Sequence, residues 1–205
     1  PYKFKFKFAG CPNDCVASVA RSDMSVIGTW KDAIQQDDAA VKAYVDGGLD
    51  IVANVISRCP TGCMQWKGGK LTIDNENCVK CMHCINVMPK ALAPGKERGA
   101  AILLGAKAPI VEGAMLSTVI VPFMKMDDLE ELYGLAERIW EVWDEHGKNR
   151  ERVGELYLRL GFANFMEAIE VDPVPQMILH PRENPYVFYE EVFGEDDEEE
   201  GEDEE

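Results

Sequence analysis

Long apolar runs, basic clusters and any cysteine beyond position 84 are missing from this 205-residue chain. Its most apolar stretch, Ala100 to Met124, is interrupted by Lys107, Pro109, Glu112 and Pro122, well short of the roughly 20 apolar residues that span a bilayer. No membrane insertion is expected. Lys and Arg number 21 against 37 Asp and Glu, and no basic stripe is present to meet phosphates, which argues against a nucleic-acid partner. Only three histidines occur. His146 and His180 have no Ser or carboxylate neighbour that suggests a triad, and His83 reads as an ordinary exposed loop residue.

What remains is globular composition, 46% apolar and 28% charged, which excludes a collagen-like or wholly disordered chain. The length suits one domain carrying a smaller inserted unit. One end departs from this. Glu195 to Glu205 holds ten acids in eleven positions, so the rest of the chain has 27 acids against 21 bases and a net charge of -6 rather than -16. Such a run cannot offset its ordering entropy and is expected to be a disordered, solubilising tail. The opening Pro-Tyr-Lys-Phe falls in mid-strand without an initiator Met, as expected of an internal segment of a longer protein.

All seven cysteines lie within the first 84 residues. An odd count with spacings of two and three residues favours metal binding in a reducing compartment, the cytoplasm, over a disulfide framework. Cys78, Cys81 and Cys84 form C-x2-C-x2-C, three thiolates on one short loop, followed by Met88-Pro89. In the bacterial ferredoxin run C-x2-C-x2-C-x3-C-P the last Cys serves a second cluster. Met88 stands in that place, so one cluster is expected, and its fourth thiolate must come from elsewhere. Cys59-Pro60, nineteen residues upstream of Cys78, supplies the Cys-Pro signature. Cys59, Cys78, Cys81 and Cys84 are therefore the expected ligands of one [4Fe-4S] cluster, with Cys63 spare or competing with Cys59. A four-Cys zinc site is the alternative, but zinc ribbons use paired C-x2-C knuckles.

Lys3 to Phe8 reads KFKFKF, which on a strand places Phe4, Phe6 and Phe8 on the core face and three ammonium groups on the other. Lysines protecting an edge strand from aggregation would give this pattern. So would an anion site. The strand leads through a sharp turn into Cys11-Pro-Asn-Asp-Cys15 and then Val16 to Arg21, the expected start of a helix.

With KFKFKF before it and Arg21 after it, this C-x3-C pair resembles the second cysteine pair of sulfite and nitrite reductases with a coupled [4Fe-4S]-siroheme centre. The resemblance narrows with CVKCMHCINVMP at Cys78 to Pro89, GAAILLGAKAP at Gly99 to Pro109, GKNRERVGEL at Gly147 to Leu156 and PRENPYVFY at Pro181 to Tyr189. Together these are similar to the alpha subunits of dissimilatory sulfite reductases, over nearly the whole chain up to the acidic tail. The resemblance implies an α+β fold: a siroheme-binding sulfite/nitrite reductase half-domain with an inserted ferredoxin-like [4Fe-4S] module and C-terminal helices. It implies reductase domain at 1–54 without its N-terminal part, the ferredoxin-like module at 55–98, reductase domain with helices and arm at 99–194, and the tail at 195–205. It implies siroheme and two [4Fe-4S] clusters, with Cys11 and Cys15 on the siroheme-coupled cluster and Cys15 bridging to the siroheme iron. Lys3, Lys5, Lys7 and Arg21 inherit the anionic pocket around sulfite and the siroheme carboxylates. The implied activity is the six-electron reduction of sulfite to sulfide, fed through the ferredoxin-type cluster, and the segment alone is expected to be inactive. The implied partners are a paralogous beta subunit in an alpha2beta2 assembly, a small sulfur-carrier protein and an electron donor. A ferredoxin-like electron-transfer module without catalysis, or an assimilatory sulfite or nitrite reductase, are the alternative readings.

Elsewhere, Trp30 to Val45 is expected to be helical and Ile51 to Ile56 a short apolar strand, with Leu71 to Ile73 in a hairpin turned by Gly68-Gly69. Ala100 to Leu104 and Thr118 to Val121 read as buried strands. Asp127 is the expected N-cap of a helix carrying Leu129, Leu132, Ala136, Ile139, Trp140 and Trp143 at helical spacing, with the two tryptophans in the core. Helices over 150–160 and 162–169 follow. The proline-rich segment at 181–189 is, by the resemblance, an arm on a partner subunit.

Overall fold

The structure is a computed structural model and describes residues 3–13, 16–108 and 113–172. The acidic tail, the segment at 181–189, His180 and Cys15 lie outside them. It is an α+β fold organised on a four-stranded sheet ordered β1-β2-β7-β8. β1 (Phe6–Ala9) runs parallel to β2 (Met24–Trp30), and the connection between them carries the short helix α1 (Ala17–Ala20). β7 (Arg98–Leu104) and β8 (Thr118–Lys125) complete the sheet in antiparallel pairing. β1 is thus an edge strand, hydrogen-bonded on one side among the described residues.

Period-2 alternation splits the sheet into two faces. One carries Met24, Val26, Ile102, Leu104 and Ile120, with Phe4 and Phe6 packed at its margin. Three helices cover it: α4 (Glu130–His146), α5 (Val153–Leu160) and α6 (Phe162–Ala168). The opposite face is small-sided, with Ala9, Ile27 and Leu103 buried against Val19 of α1. Gly28 of β2 lies so close to the carbonyl of Gly10 that a Cβ there would clash, which lets the turn after β1 settle onto the sheet.

Between β2 and β7 the chain leaves the sheet and builds a separate core from Trp30 to Leu92. Here β3 (Gln35–Gln36) pairs with β6 (Leu92–Ala93), β4 (Met64–Lys67) with β5 (Lys70–Ile73), and α2 (Asp38–Asp46) and α3 (His83–Val87) pack around them. The β4–β5 turn is Gly68-Gly69, both at positive φ, as the sequence predicts. Among the described residues no helix is long and apolar enough to cross a membrane.

Four local expectations are corrected. The helix expected from Trp30 begins only at Asp38, because Trp30 pairs with Arg98 in β2 and the Asp37 side chain caps α2 by accepting the Ala39 and Ala40 N–H groups at 2.9 and 3.1 Å. Ile51 to Ile56 is a π-helix over Val52–Ile56 rather than a strand; Asp50 accepts the Ala53 N–H, and burial of Ile51 and Val55 follows one helical face while Val52 is exposed. Phe8 is 66% exposed and Trp140 42% exposed, since α4 reaches only the Phe4–Phe6 end of the edge strand, where Phe4 packs edge-on against Trp140 with Trp143 beside it. α4 starts at Glu130, where the Asp128 carboxylate rather than that of Asp127 takes the Glu130 N–H.

Candidate metal centre and anion face

The cysteine pocket is assembled from three short segments of the inserted core. The π-helix ends in a turn in which the Cys59 N–H bonds the Ile56 carbonyl and the Gly62 N–H bonds the Cys59 carbonyl. Cys63 enters β4, its carbonyl held by the Asp74 N–H at 2.8 Å. Cys78 and Cys81 occupy the loop before α3, and Cys84 sits within α3. Lys80 and Met82 have positive φ, 56° and 68°, left-handed conformations that turn the loop sharply at both residues. The Lys80 N–H reaches the Cys78 sulfur at 3.4 Å. One cavity is lined by all five of Cys59, Cys63, Cys78, Cys81 and Cys84.

The thiols differ electrostatically. Burial raises Cys63 to about 12 and Cys84 to about 11, the ordinary consequence of taking a thiolate out of water. Burial also opposes ionisation of Cys59, but the Thr61 N–H and the Cys63 thiol, 3.5 Å away, donate to its sulfur and bring it below the usual thiol value. Among the described residues no three His, Cys, Asp or Glu side chains converge on one ion; a cubane puts each thiolate on its own iron at a separate corner. The donor set, soft thiolates in an apolar recess with amide donors to sulfur, fits an iron-sulfur cluster.

His83 is half-buried rather than exposed. Its Nε2 donates to the Asn54 carbonyl of the π-helix at 2.9 Å, tying the cysteine loop to the segment that leads to Cys59.

The strand expected over Lys3 to Phe8 is β1 at Phe6–Ala9, so Lys7 lies in it, on the sheet face opposite the helical core, and Lys3 and Lys5 precede it. Register places Lys7 beside Ser25 and Ala9 beside Ile27, and the buried Ser25 hydroxyl donates to the Ser18 carbonyl of α1. Lys3 and Lys7 are exposed and Lys5 half-buried. Arg21, also exposed, closes α1 three residues before β2 begins, and the Met24 N–H at the start of β2 meets the Lys5 carbonyl. Cys11 lies half-buried in the turn after β1. None of the four cations has an ion-pair partner among the described residues.

One charged group escaped sequence reasoning. Asp23, fully buried, accepts the Lys5 N–H at 2.8 Å and is gripped by the Arg152 guanidinium through Nε at 2.7 Å and a terminal nitrogen at 2.5 Å. Arg152 stands at the entrance to α5; its N–H bonds Glu155, which pairs with Lys107 at 2.6 Å. Asp23 and Arg152 lie 129 residues apart, so no local pattern announces them.

Residues 1–175 match the family described as nitrite and sulphite reductase 4Fe-4S domain. The chain belongs to that family. Within the family it is 54% identical over 207 residues to the dissimilatory-type sulfite reductase subunit alpha of Nitratidesulfovibrio vulgaris, an alignment covering 93% of this chain and 47% of that protein. Identity to the dissimilatory-type subunit beta of Archaeoglobus fulgidus is 27% over 197 residues, 93% of this chain and 52% of that one. A crystal structure of dissimilatory sulfite reductase I superposes with a TM-score of 0.82 at 52% identity, covering 95% of this chain and 49% of its counterpart. The chain spans about half the length of these relatives.

Proposed function

We propose that this chain is part of the alpha subunit of a dissimilatory sulfite reductase, which reduces sulfite to sulfide with six electrons. The observation that supports the reading is that Lys7 of β1 and the helix α1, which ends at Arg21, lie on the sheet face away from the helical core and are joined by the turn that holds Cys11, in a chain that also carries a five-cysteine cavity. In this reading the Nζ atoms of Lys3, Lys5 and Lys7 and the Arg21 guanidinium neutralise an oxyanion and the carboxylates of siroheme, and the ammonium groups hold protons that sulfur-oxygen cleavage consumes. Cys11 and Cys15 belong to the siroheme-coupled [4Fe-4S] cluster, with Cys15 as the bridge. Siroheme bound there would supply the bond-breaking chemistry while the protein positions it and sets the charge.

Cys59, Cys78, Cys81 and Cys84 hold the second, ferredoxin-type [4Fe-4S] cluster in the module assigned to 55–98. The proline that follows Cys59, absent after Cys63, favours Cys59 as the fourth ligand. That cluster takes single electrons from a donor protein. A paralogous beta subunit is the assembly partner, in keeping with the similarity to both subunit types, and a small sulfur-carrier protein is a further partner. The thiol-rich centre suits a reducing cytoplasm.

The test is the iron, acid-labile sulfide and siroheme content of the full-length protein, purified anaerobically with its partner, and again as Cys15→Ala. Siroheme with iron for two clusters, the coupled centre disappearing in the variant, is the expected result. Iron for a single cluster with no tetrapyrrole would leave an electron carrier without catalysis.

A further inference from the structure

We infer that the buried Asp23–Arg152 pair is a positioning device for the lysine strand, fixing β1 in the register that presents Lys5 and Lys7 to the anion. The inference rests on the proposed role of that strand in sulfite binding.

KFKFKF repeats every two residues, so a slip of β1 by two positions keeps every Phe on the helical side and every Lys on the other. Along the Lys-Phe repeat itself hydrophobic patterning, which normally specifies register, is silent; only Ala9 beyond it, buried against Ile27 and Leu103, adds to the choice. β1 is also a four-residue edge strand in parallel pairing, the weaker ladder geometry, and its Phe8 end is exposed. A slip would carry each ammonium group about 7 Å along the strand.

Asp23 breaks the degeneracy. Its carboxylate takes the N–H of Lys5, and not that of Lys3 or Lys7. A fully buried carboxylate is costly unless paired, and Arg152 meets both of its oxygens with a side chain only 13% exposed. Arg152 is itself held. Gly154, the second residue of α5, abuts the backbone of Gly105 so closely that neither position accepts a Cβ. Glu155 accepts the Arg152 N–H and is anchored by Lys107. The chain of contacts runs from the end of β7 through α5 to the backbone of the lysine strand. A hydrophobic pair of equal volume would serve stability as well, but it would not distinguish Lys5 from its neighbours.

The experiment uses the full-length protein with its partner, following sulfite binding by the change in siroheme absorption and measuring KM and kcat separately. Asp23→Asn retains an acceptor but leaves Arg152 unpaired. It is expected to raise the sulfite Kd and KM about tenfold, the loss of one charge-assisted contact set, with siroheme and iron content unchanged. Arg152→Lys, which keeps the charge but not the two-point grip, is expected to fall between wild type and Asp23→Asn, and it carries the test alone if Asp23→Asn does not fold. Glu151→Gln, which breaks the Glu151–Arg159 pair at the same helix, is expected to lower Tm without moving KM. A drop in Tm with unchanged sulfite Kd and KM in both Asp23→Asn and Arg152→Lys overturns the inference. Lys5→Met and Lys7→Met separate the two ideas: if they too leave sulfite binding intact, the anion role of the strand fails along with the inference; if they weaken it while the Asp23 and Arg152 variants do not, the positioning role alone fails.

Discussion

Cys59 and Cys63 stand with their sulfurs 3.5 Å apart, yet they hold their protons oppositely, Cys63 pushed up by burial to about 12 and Cys59 drawn down by its hydrogen-bond donors. Cys84, an expected ligand, is pushed up to about 11 as well, so proton affinity does not choose the ligand; the proline after Cys59 does. Cys59→Ala is therefore expected to lose the ferredoxin-type cluster, seen as a fall in iron content and loss of its EPR signal, while Cys63→Ala keeps both. Retention in Cys59→Ala with loss in Cys63→Ala would exchange the two assignments.

Why this much was legible follows from where the information sits. The ligand loop, the Gly68-Gly69 hairpin and helices α4 to α6 are specified by residues close in sequence, through ligand spacing, turn chemistry and 3.6-residue periodicity. β2, the central strand, lies between two apparent helical signals and is fixed by seven pairings with β7 from Met24↔Leu104 to Trp30↔Arg98, contacts no local window contains. Ile51 to Ile56 is too short an apolar run for periodicity to separate strand from helix, and the Asp50 side chain decides it. The Asp23–Arg152 pair is wholly long-range. The sequence ranks Cys59 above Cys63 by Pro60 alone; that the two sulfurs meet and that Cys63 is buried depend on the fold.

The Asp37 cap offers a local test of the inserted core. Asp37 accepts two N–H groups at the start of α2, and α2 buries Val41 in the same core as the cysteine pocket. Asp37→Ala is expected to cost about 1 kcal/mol, read as earlier thermal loss of the cluster absorption. Asp37→Asn, which still caps, should recover most of it. Equal losses in both would mean that the charge, not the cap, matters.

Acid sensitivity should trace partly to Glu151. Arg159 grips its carboxylate at 2.8 Å through two nitrogens and, with the Lys148 N–H, holds its pKa at about 2, below the ordinary 4.5. A depressed carboxylate stabilises the fold above its unfolded pKa and loses that contribution as pH falls. The window is therefore about pH 4.5 down to 2. Glu151→Gln is expected to flatten the Tm profile within that window and to lower Tm at neutral pH; an unchanged slope below pH 4.5 would remove Glu151 from the account.

His83 lies between two expected cluster ligands and bears on whether the loop is held by its thiolates alone. Its Nε2 donates to the Asn54 carbonyl, so the ring is already committed to the π-helix, a conformation that interrupts ordinary helical bonding and is frequent at functional sites. His83→Leu keeps the side chain's bulk but deprives that carbonyl of its donor, at a cost of about 1 kcal/mol. The expected outcome is an unchanged iron content when the protein is prepared anaerobically, together with faster cluster loss on exposure to air, because the loop from Cys78 to Cys84 is no longer pinned to the segment leading to Cys59. His83→Gln, able to donate from its amide, should slow that loss again. Iron missing from anaerobic His83→Leu would instead make the imidazole a ligand, and the four-thiolate assignment would then have to give up one of its members.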